Sequence, residues 1–405
     1  MYFNDEYNDS LTVFKQHLNA DKTFYPLALH ATDIVTSDYP VSRELYDKYS
    51  ENLRKAVDAV FYKEEDSDLA LRLKANATRF GAFKAYNATQ DIRREGRKNS
   101  LTDAEWTEKR YNSFQAAEYN TAVARSRTAK QFEEFMDKDR MEALPNLKWL
   151  PSTSAEVREE HRVFWNRIWA KTDPFWSKNQ PGNLWNCKCD WHETDEPVTD
   201  GNPQTETAAR GLDGNPATTG KIFSDKASYV ERLTQKSKEI VENYVKPVME
   251  HCEEYIKYKN DKEYKVDTFR WNKGGFVATS KLREQQGEVN KNTKDKFKKE
   301  SDMCEKFADS GFAIDYKAEV DGEFDVYANG KKADLKSTKG TNNIEKKARY
   351  AVHHQGAEIV LQRLEKGIDR NNALIALRNL WKLDKILVYY YFEEEPGKVM
   401  LNSKL

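Results

Sequence analysis

The sequence predicts a multidomain protein: a mainly α N-terminal and middle region with an α+β section, followed by a small α/β domain at the C-terminal end. Three observations predict it. The 405-residue chain exceeds the roughly 250–300 residues at which a single core stops growing. Residues 42–136 repeat apolar side chains at helical spacing among many charges. From Lys291 onward, strand-like and helix-like runs follow one another in the order α-β-β-β-α-β-α-β.

Composition agrees with long solvated helices and linkers rather than one large core, since charged residues make up 33% and hydrophobic ones 38%. The net charge of −1 names no partner. No apolar run approaches the roughly 20 residues of a membrane span. The opening MYFNDEYNDS lacks a basic-then-apolar signal, so a cytoplasm-like compartment is expected. Cys187, Cys189, Cys252 and Cys304 are too few and too scattered for a disulfide framework and are expected to be reduced.

In chain order, Leu53, Ala56, Val57, Val60 and Phe61, then Leu69, Leu71 and Leu73, mark the apolar faces of the first helices. Tyr111 to Met136, carrying Phe114, Ala117, Tyr119, Thr121, Ala122 and Ala129, reads as a further helix or pair. From Leu147 the texture changes to short tryptophan-rich pieces broken by Pro151, Pro174, Pro181 and Gly182, the pattern of a compact α+β unit. A polar Gly/Pro/Thr-rich stretch runs from Glu193 to Gly220, and a long helical pattern follows from about Ser228 to Tyr258. These give 1–225 as a first region, 226–290 as a helical connector and 291–405 as the C-terminal domain. In the last, a lysine-rich segment leads into a helix through Met303, Phe307 and Ala308 that stops near Gly311. Then come a strand over 312–316, a hairpin, a helix over 343–355, a strand over 358–364, a helix over 370–382 and a strand over 385–392.

The hairpin carries the chemistry. Asn329-Gly330 favours a two-residue type I′ turn, so residues whose numbers sum to 659 should face each other: Asp325 opposite Asp334 and Glu323 opposite Lys336. Phe324, Val326, Ala333 and Leu335 alternate with them as the packed face. Like charges directly opposite normally destabilise a ladder, so the pair makes most sense around a cation. A hard ion such as Mg²⁺ takes carboxylate oxygens and neutralises an attacked phosphate, with Lys336 to orient water or steady the phosphorus. The alternative is a solvated face whose acids are neutralised by Lys332 and Lys336.

Residues 331–350 hold seven basic against two acidic side chains, a local excess suited to a polyanion. In the helix from Ile344, Asn342 and Glu345 are placed like a capping box, Gly356 acts as the stop, and Lys346, Arg349 and His353 share a face that could track phosphates. Farther upstream, Cys187, Cys189, His192 and His161 include the ligand types Zn²⁺ prefers. A buried C-x-C beside a satisfied core histidine explains the same four residues.

Two resemblances add to this. Leu147-Lys148-Trp149, Arg158-x-x-His161, Asp173-Pro174-Phe175, Pro181-Gly182 and Asn186-Cys187-Lys188-Cys189, then Gly211-Leu212-Asp213-Gly214-Asn215-Pro216-Ala217, make residues 100–225 resemble the phage Mu F-like head morphogenesis (minor head protein) family. That implies a capsid protein near the portal, present in few copies and packed in the head with DNA, with portal and capsid proteins as partners. Members of that family carry variable C-terminal toxin or nuclease modules.

The tail, through Phe324-Asp325, Gly330, Ala333-Asp334-Leu335-Lys336-Ser337, Asn342-Asn343-Ile344, Gln355-Gly356-Ala357 and Ile359-Val360-Leu361, resembles the CdiA C-terminal tRNA nuclease domain. It departs at Phe324, where proline is usual, and at Asp334, where glutamate is frequent. The resemblance implies a PD-(D/E)xK, restriction-endonuclease-like fold in which Asp325 and Asp334 ligate Mg²⁺ or another divalent cation, Lys336 is the catalytic lysine and Glu300 a further acid, with Glu305 as its substitute. It also implies an RNA substrate, tRNA above all, nucleic-acid contacts through Lys339, Lys346, Arg349 and His353, a cognate immunity protein, and residence in the virion and the host cytoplasm without a membrane. Rival readings are a structural minor capsid protein with an inactive tail, a DNase, or a metal-independent RNase of the barnase/EndoU/colicin/RelE type using Lys336, Ser337, Thr338 and His353.

Overall fold

A computed structural model describes residues 31–36, 38–154 and 159–405, so Arg158 of the motifs above lies outside the described residues. The chain divides into two compact units, 1–245 and 246–405. No described helix is long and apolar enough to cross a membrane.

The first unit is helix-rich. Helices α1 (Arg43–Asp58) and α2 (Asp68–Lys98) start at Ser42 and Ser67, whose side chains accept from the backbone N–H of Leu45 and Ala70. Leu53, Ala56, Val57, Leu69, Leu71 and Leu73 are all buried, as their spacing predicts. The two helices approach closely at Gly81, where a Cβ would meet the Ser50 backbone at 2.9 Å. Helices α3 (Leu101–Ser113) and α4 (Gln115–Phe135) meet at Phe114, so the pattern from Tyr111 to Met136 is a pair. A three-stranded antiparallel sheet of β1 (Asn146–Leu150), β2 (Ile168–Ala170) and β3 (Asp190–Thr194) follows, in the order β2-β1-β3. Against it packs an aromatic core that gathers Leu147, Trp149, Phe175, Cys187 and Cys189, residues separated in sequence by the proline-broken loops.

The second unit is α/β around a mixed eight-stranded sheet, in the order β11-β10-β9-β8-β7-β6-β5-β4. Its strands are β4 (Tyr264–Val266), β5 (Phe276–Ser280), β6 (Ala313–Tyr316), β7 (Val326–Ala328), β8 (Lys331–Thr338), β9 (Ile359–Leu364), β10 (Leu387–Phe392) and β11 (Met400–Leu401). Neighbours β8, β9 and β10 run parallel, as do β5 and β6, whereas β6-β7-β8 is an antiparallel meander. The expected element order from Lys291 is therefore observed.

The expected helical connector, 226–290, needs correction. It is helical through α5 (Gln235–Asn260), within which the two units divide, but then supplies β4, β5 and α6 (Lys281–Gly287) to the second unit. Strand β5, α6, α7 (Lys291–Ala308) and β6 form a crossover that places two parallel strands side by side. Gly275 permits it, because a Cβ there would sit 1.8 Å from the Ala308 carbonyl oxygen at the end of α7.

Two apolar layers sandwich the sheet. On one side Met303, Cys304 and Phe307 of α7 pack with Ile314, Val326, Ala333, Leu335 and Leu361. On the other, α8 (Asn342–His354) and α9 (Arg370–Asp384) bring Ile344, Ala348, Ala351, Leu377 and Leu380 onto Val360, Leu364 and Val388. Phe324 belongs to this second layer, not to the layer of Val326, Ala333 and Leu335 as the alternation predicts. The reason is local: β7 begins at Val326, and the chain before it turns out of the strand. Helix α8 lacks the expected capping box. Its N-cap, Thr341, has helical φ and ψ and makes no side-chain cap, while Glu345 pairs with Arg349. Gly356 ends it at φ 73°.

Candidate active site

Asn329 and Gly330 both take positive φ, 51° and 74°, the requirement of a type I′ turn. Strands β7 and β8 then pair as Val326 with Ala333, Tyr327 with Lys332 and Ala328 with Lys331, the register whose numbers sum to 659. One residue farther, Asp325 still donates its backbone N–H to Ala333, but its carboxylate replaces the next rung: Oδ2 accepts from the Leu335 N–H at 2.9 Å. The Asp325 and Asp334 carboxylates come within hydrogen-bonding reach of each other. Glu323 does not complete the expected pairing with Lys336. Its carboxylate goes to Lys317 at 3.1 Å, because the chain has already left the strand.

Asp334 is fully buried. Its Oδ1 accepts from Lys336 Nζ at 2.6 Å, and its Oδ2 has no hydrogen-bond partner. Burial, and then the adjacent Asp334, push the Asp325 carboxyl up to about 7. Two acids that cannot comfortably share a buried site, one with an unpartnered oxygen, form a donor set suited to a divalent cation.

Glu300 on α7 joins them. It lines, with Asp325, Lys336 and Gln355, a cavity of about 270 Å³ floored by the 319–324 loop. Its Oε2 accepts from Tyr316 Oη at 2.7 Å and from Arg283 at 2.9 Å, and burial followed by the charge of Asp325 raises its pKa. Glu305, the substitute weighed for it, is exposed and does not line the cavity.

Three contributors escaped the sequence reading. Gln355 bridges Lys336, through Oε1 at 2.9 Å, to the Glu323 carbonyl, through Nε2 at 3.2 Å. Arg283 and Tyr316 orient Glu300. Gln355 stands in the Gln355-Gly356-Ala357 run and could have been found there. Arg283 had no signal, since its segment reads as connector.

Beside the cavity lies a larger groove of about 1230 Å³ between α8, α9 and the end of β8, and Leu335 and Lys336 line both. Of the residues expected to contact nucleic acid, Lys346, Arg349 and His353 line this groove. Arg349 is held by Glu345 and Asp384 at 2.9 and 3.0 Å, so its charge is already paired within the protein. Lys339 lines neither space. Its side chain is 85% exposed and reaches Glu365 at only 3.8 Å.

The zinc-type cluster in the first unit is smaller than expected. His161, Cys187 and Cys189 are buried with their ligand atoms within 4.8 Å of one another. Asn183 Oδ1 lies 2.7 Å from His161 Nε2 and can only accept, so Nε2 carries the proton and Nδ1 turns its lone pair to the sulfurs at 3.4 and 3.5 Å. The hydrogen bond from Cys189 pulls the Cys187 thiol well below its usual value, and the same bond, with burial, pushes Cys189 up. His192 is not part of the cluster. It lies exposed on β3, opposite Lys148, because strand alternation turns it away from Trp191 and the core. Among the described residues no fourth His, Cys, Asp or Glu completes a tetrahedral zinc site.

No family model, curated protein or solved structure matches the chain.

Proposed function

We propose that the C-terminal unit is a metal-dependent nuclease of the restriction-endonuclease-like type, hydrolysing phosphodiesters in RNA, with tRNA the favoured substrate. One observation carries this reading: Asp325, Lys336 and Glu300 line one cavity, and the fully buried Asp334 bonds to Lys336 through one oxygen while the other is unpartnered. A divalent cation bound by Asp325 and Asp334 supplies Lewis-acid assistance at the scissile phosphate. Lys336, held by Asp334 and Gln355, keeps its ammonium at the junction of cavity and groove, where it steadies charge building on phosphorus. Glu300, its pKa raised, is placed to take a proton from an attacking water.

For the first unit we propose the role of a phage minor head protein near the portal, with portal and capsid proteins as partners and the virion as its place. What supports it is that the motif residues Leu147, Trp149, Phe175, Cys187 and Cys189, scattered in sequence, build a single core. An immunity protein for the nuclease unit, and Zn²⁺ at the thiols, belong to the same proposal.

The test is to incubate the full chain with total tRNA, mRNA and plasmid, in Mg²⁺ or in EDTA, beside Asp334→Asn and Lys336→Ala. The expected outcome is tRNA cleavage in Mg²⁺ only, reduced on the order of 10³-fold in either variant. Nucleic acids left intact under every condition defeat the enzyme reading and leave a structural tail. Cleavage that persists in EDTA but fails in His353→Ala establishes the metal-independent RNase instead, and plasmid nicking alone establishes the DNase.

A further inference from the structure

The groove beside the acid cavity contains an aromatic surface that neither the catalytic set nor the phosphate-tracking residues use. Tyr350 is 54% exposed on α8, on a face turned away from the buried stripe of Ile344, Ala348 and Ala351. One face of its ring is covered by the His354 imidazole, with centroids 5.0 Å apart and planes inclined by 28°. The rings are one turn apart, so the helix itself holds the pair stacked. Across the groove, Ile375 of α9 is also 54% exposed, which gives the space an apolar wall facing the stacked rings. Lys346 and Lys347 lie one turn before Tyr350 on the same helix and line the same groove.

A flat aromatic surface between basic residues fits a nucleobase attached to a phosphate backbone. A base inside a duplex has both faces covered by its neighbours, so it cannot stack on Tyr350 without first being extruded. An unpaired base can. Lys336 lines both the groove and the acid cavity, so a strand whose base lies on Tyr350 runs its backbone toward the carboxylates. From this geometry we infer that Tyr350 and His354 form a stacking platform for one unpaired nucleobase, and that the unit selects single-stranded or loop nucleotides over duplex. The inference rests on the nuclease reading for its purpose, but its binding test does not need catalysis.

The experiment uses the full chain in EDTA and an oligonucleotide about a dozen nucleotides long containing one 2-aminopurine, as single-stranded RNA, single-stranded DNA and the corresponding RNA duplex. Single strands should bind on the order of 10-fold more tightly than the duplex and quench the 2-aminopurine. Tyr350→Ala should lose both the quenching and about 10-fold in affinity, while Tyr350→Phe keeps them, with circular dichroism unchanged in both. Binding by either single strand supports the inference, and the tighter one identifies the sugar. Equal affinity for duplex and single strand, or Tyr350→Ala binding and quenching like the wild type, overturns it. Single strands that bind and quench yet stay intact after Mg²⁺ is added sink the nuclease reading and leave the platform standing.

Discussion

The acid cavity of the second unit, where a divalent cation is proposed, and the thiol-histidine cluster of the first, whose ligand atoms lie within 4.8 Å of one another, are set apart by their surroundings. The acids repel. Burial and the adjacent Asp334 raise the proton affinity of Asp325, burial and then the charge of Asp325 raise that of Glu300, and one Asp334 oxygen is without a partner. The cluster is self-sufficient, because Cys189 hydrogen-bonds to Cys187, His161 Nδ1 faces both sulfurs at 3.4 and 3.5 Å, Asn183 holds the far side of the ring, and the aromatic core surrounds them. An unbalanced oxygen set asks for a cation to work. A balanced sulfur and nitrogen set serves the fold with or without one, and binding an ion there displaces thiol protons.

The widest gap between the two should show in pH dependence. The folded Asp325 carboxyl titrates at about 7 against an ordinary 3.8, so the unfolded chain releases this proton first as pH rises. Stability of the second unit in EDTA should then fall between about pH 4 and pH 7 and level off above, by up to roughly 4 kcal/mol. Urea midpoints at pH 5 and pH 7.5 measure it. Mg²⁺ should flatten the slope by displacing the proton, and a slope unaltered by Mg²⁺ would remove the distinction drawn here.

A smaller effect is expected on the other side of the comparison. His161→Ala leaves a cavity, an unpaired Asn183 oxygen and two sulfurs without their imidazole neighbour, and should destabilise the first unit by about 2–4 kcal/mol while nuclease rates stay at the wild-type level. Differential scanning calorimetry and the tRNA assay, run on the same preparation, check both halves. If the calorimetric transition holds and cleavage drops, the cluster is not merely architectural.

The finest discrimination comes from Gln355→Ala. It frees Lys336 from one of its two anchors and should lower kcat about 10-fold with KM little changed, because the ammonium remains but is less well held. A change in KM alone would move Gln355 from positioning Lys336 to binding substrate.

The hairpin was readable because it is local. Asn329-Gly330 dictates the turn, the turn dictates the register, and the register brings Asp325 toward Asp334 without help from the rest of the chain. What lay outside that reach was lost. Arg283 reaches Glu300 only because β5 and α6 belong to a crossover that joins β5 to the sheet, and the short strands β4 and β5 were hidden behind the long helix before them. Phe324 changed layers since alternation holds only while the strand lasts. His192 was different: it follows Trp191 in β3, so strand parity already turned it from the core, and counting twos would have removed it from the zinc set.

Each of Asp325, Asp334 and Glu300 has one oxygen committed elsewhere. Asp325 Oδ2 is a rung of the ladder, Asp334 Oδ1 belongs to Lys336, and Glu300 Oε2 belongs to Tyr316 and Arg283. In the proposed cation site Asp325 and Asp334 would therefore offer single oxygens rather than chelating pairs, a minority of the six positions that an octahedral ion requires. If the proposed nuclease reading holds, such a mooring would grip a cation weakly until a phosphate arrives to share the load, so the second unit should exchange the ion freely and commit it only when nucleic acid is bound.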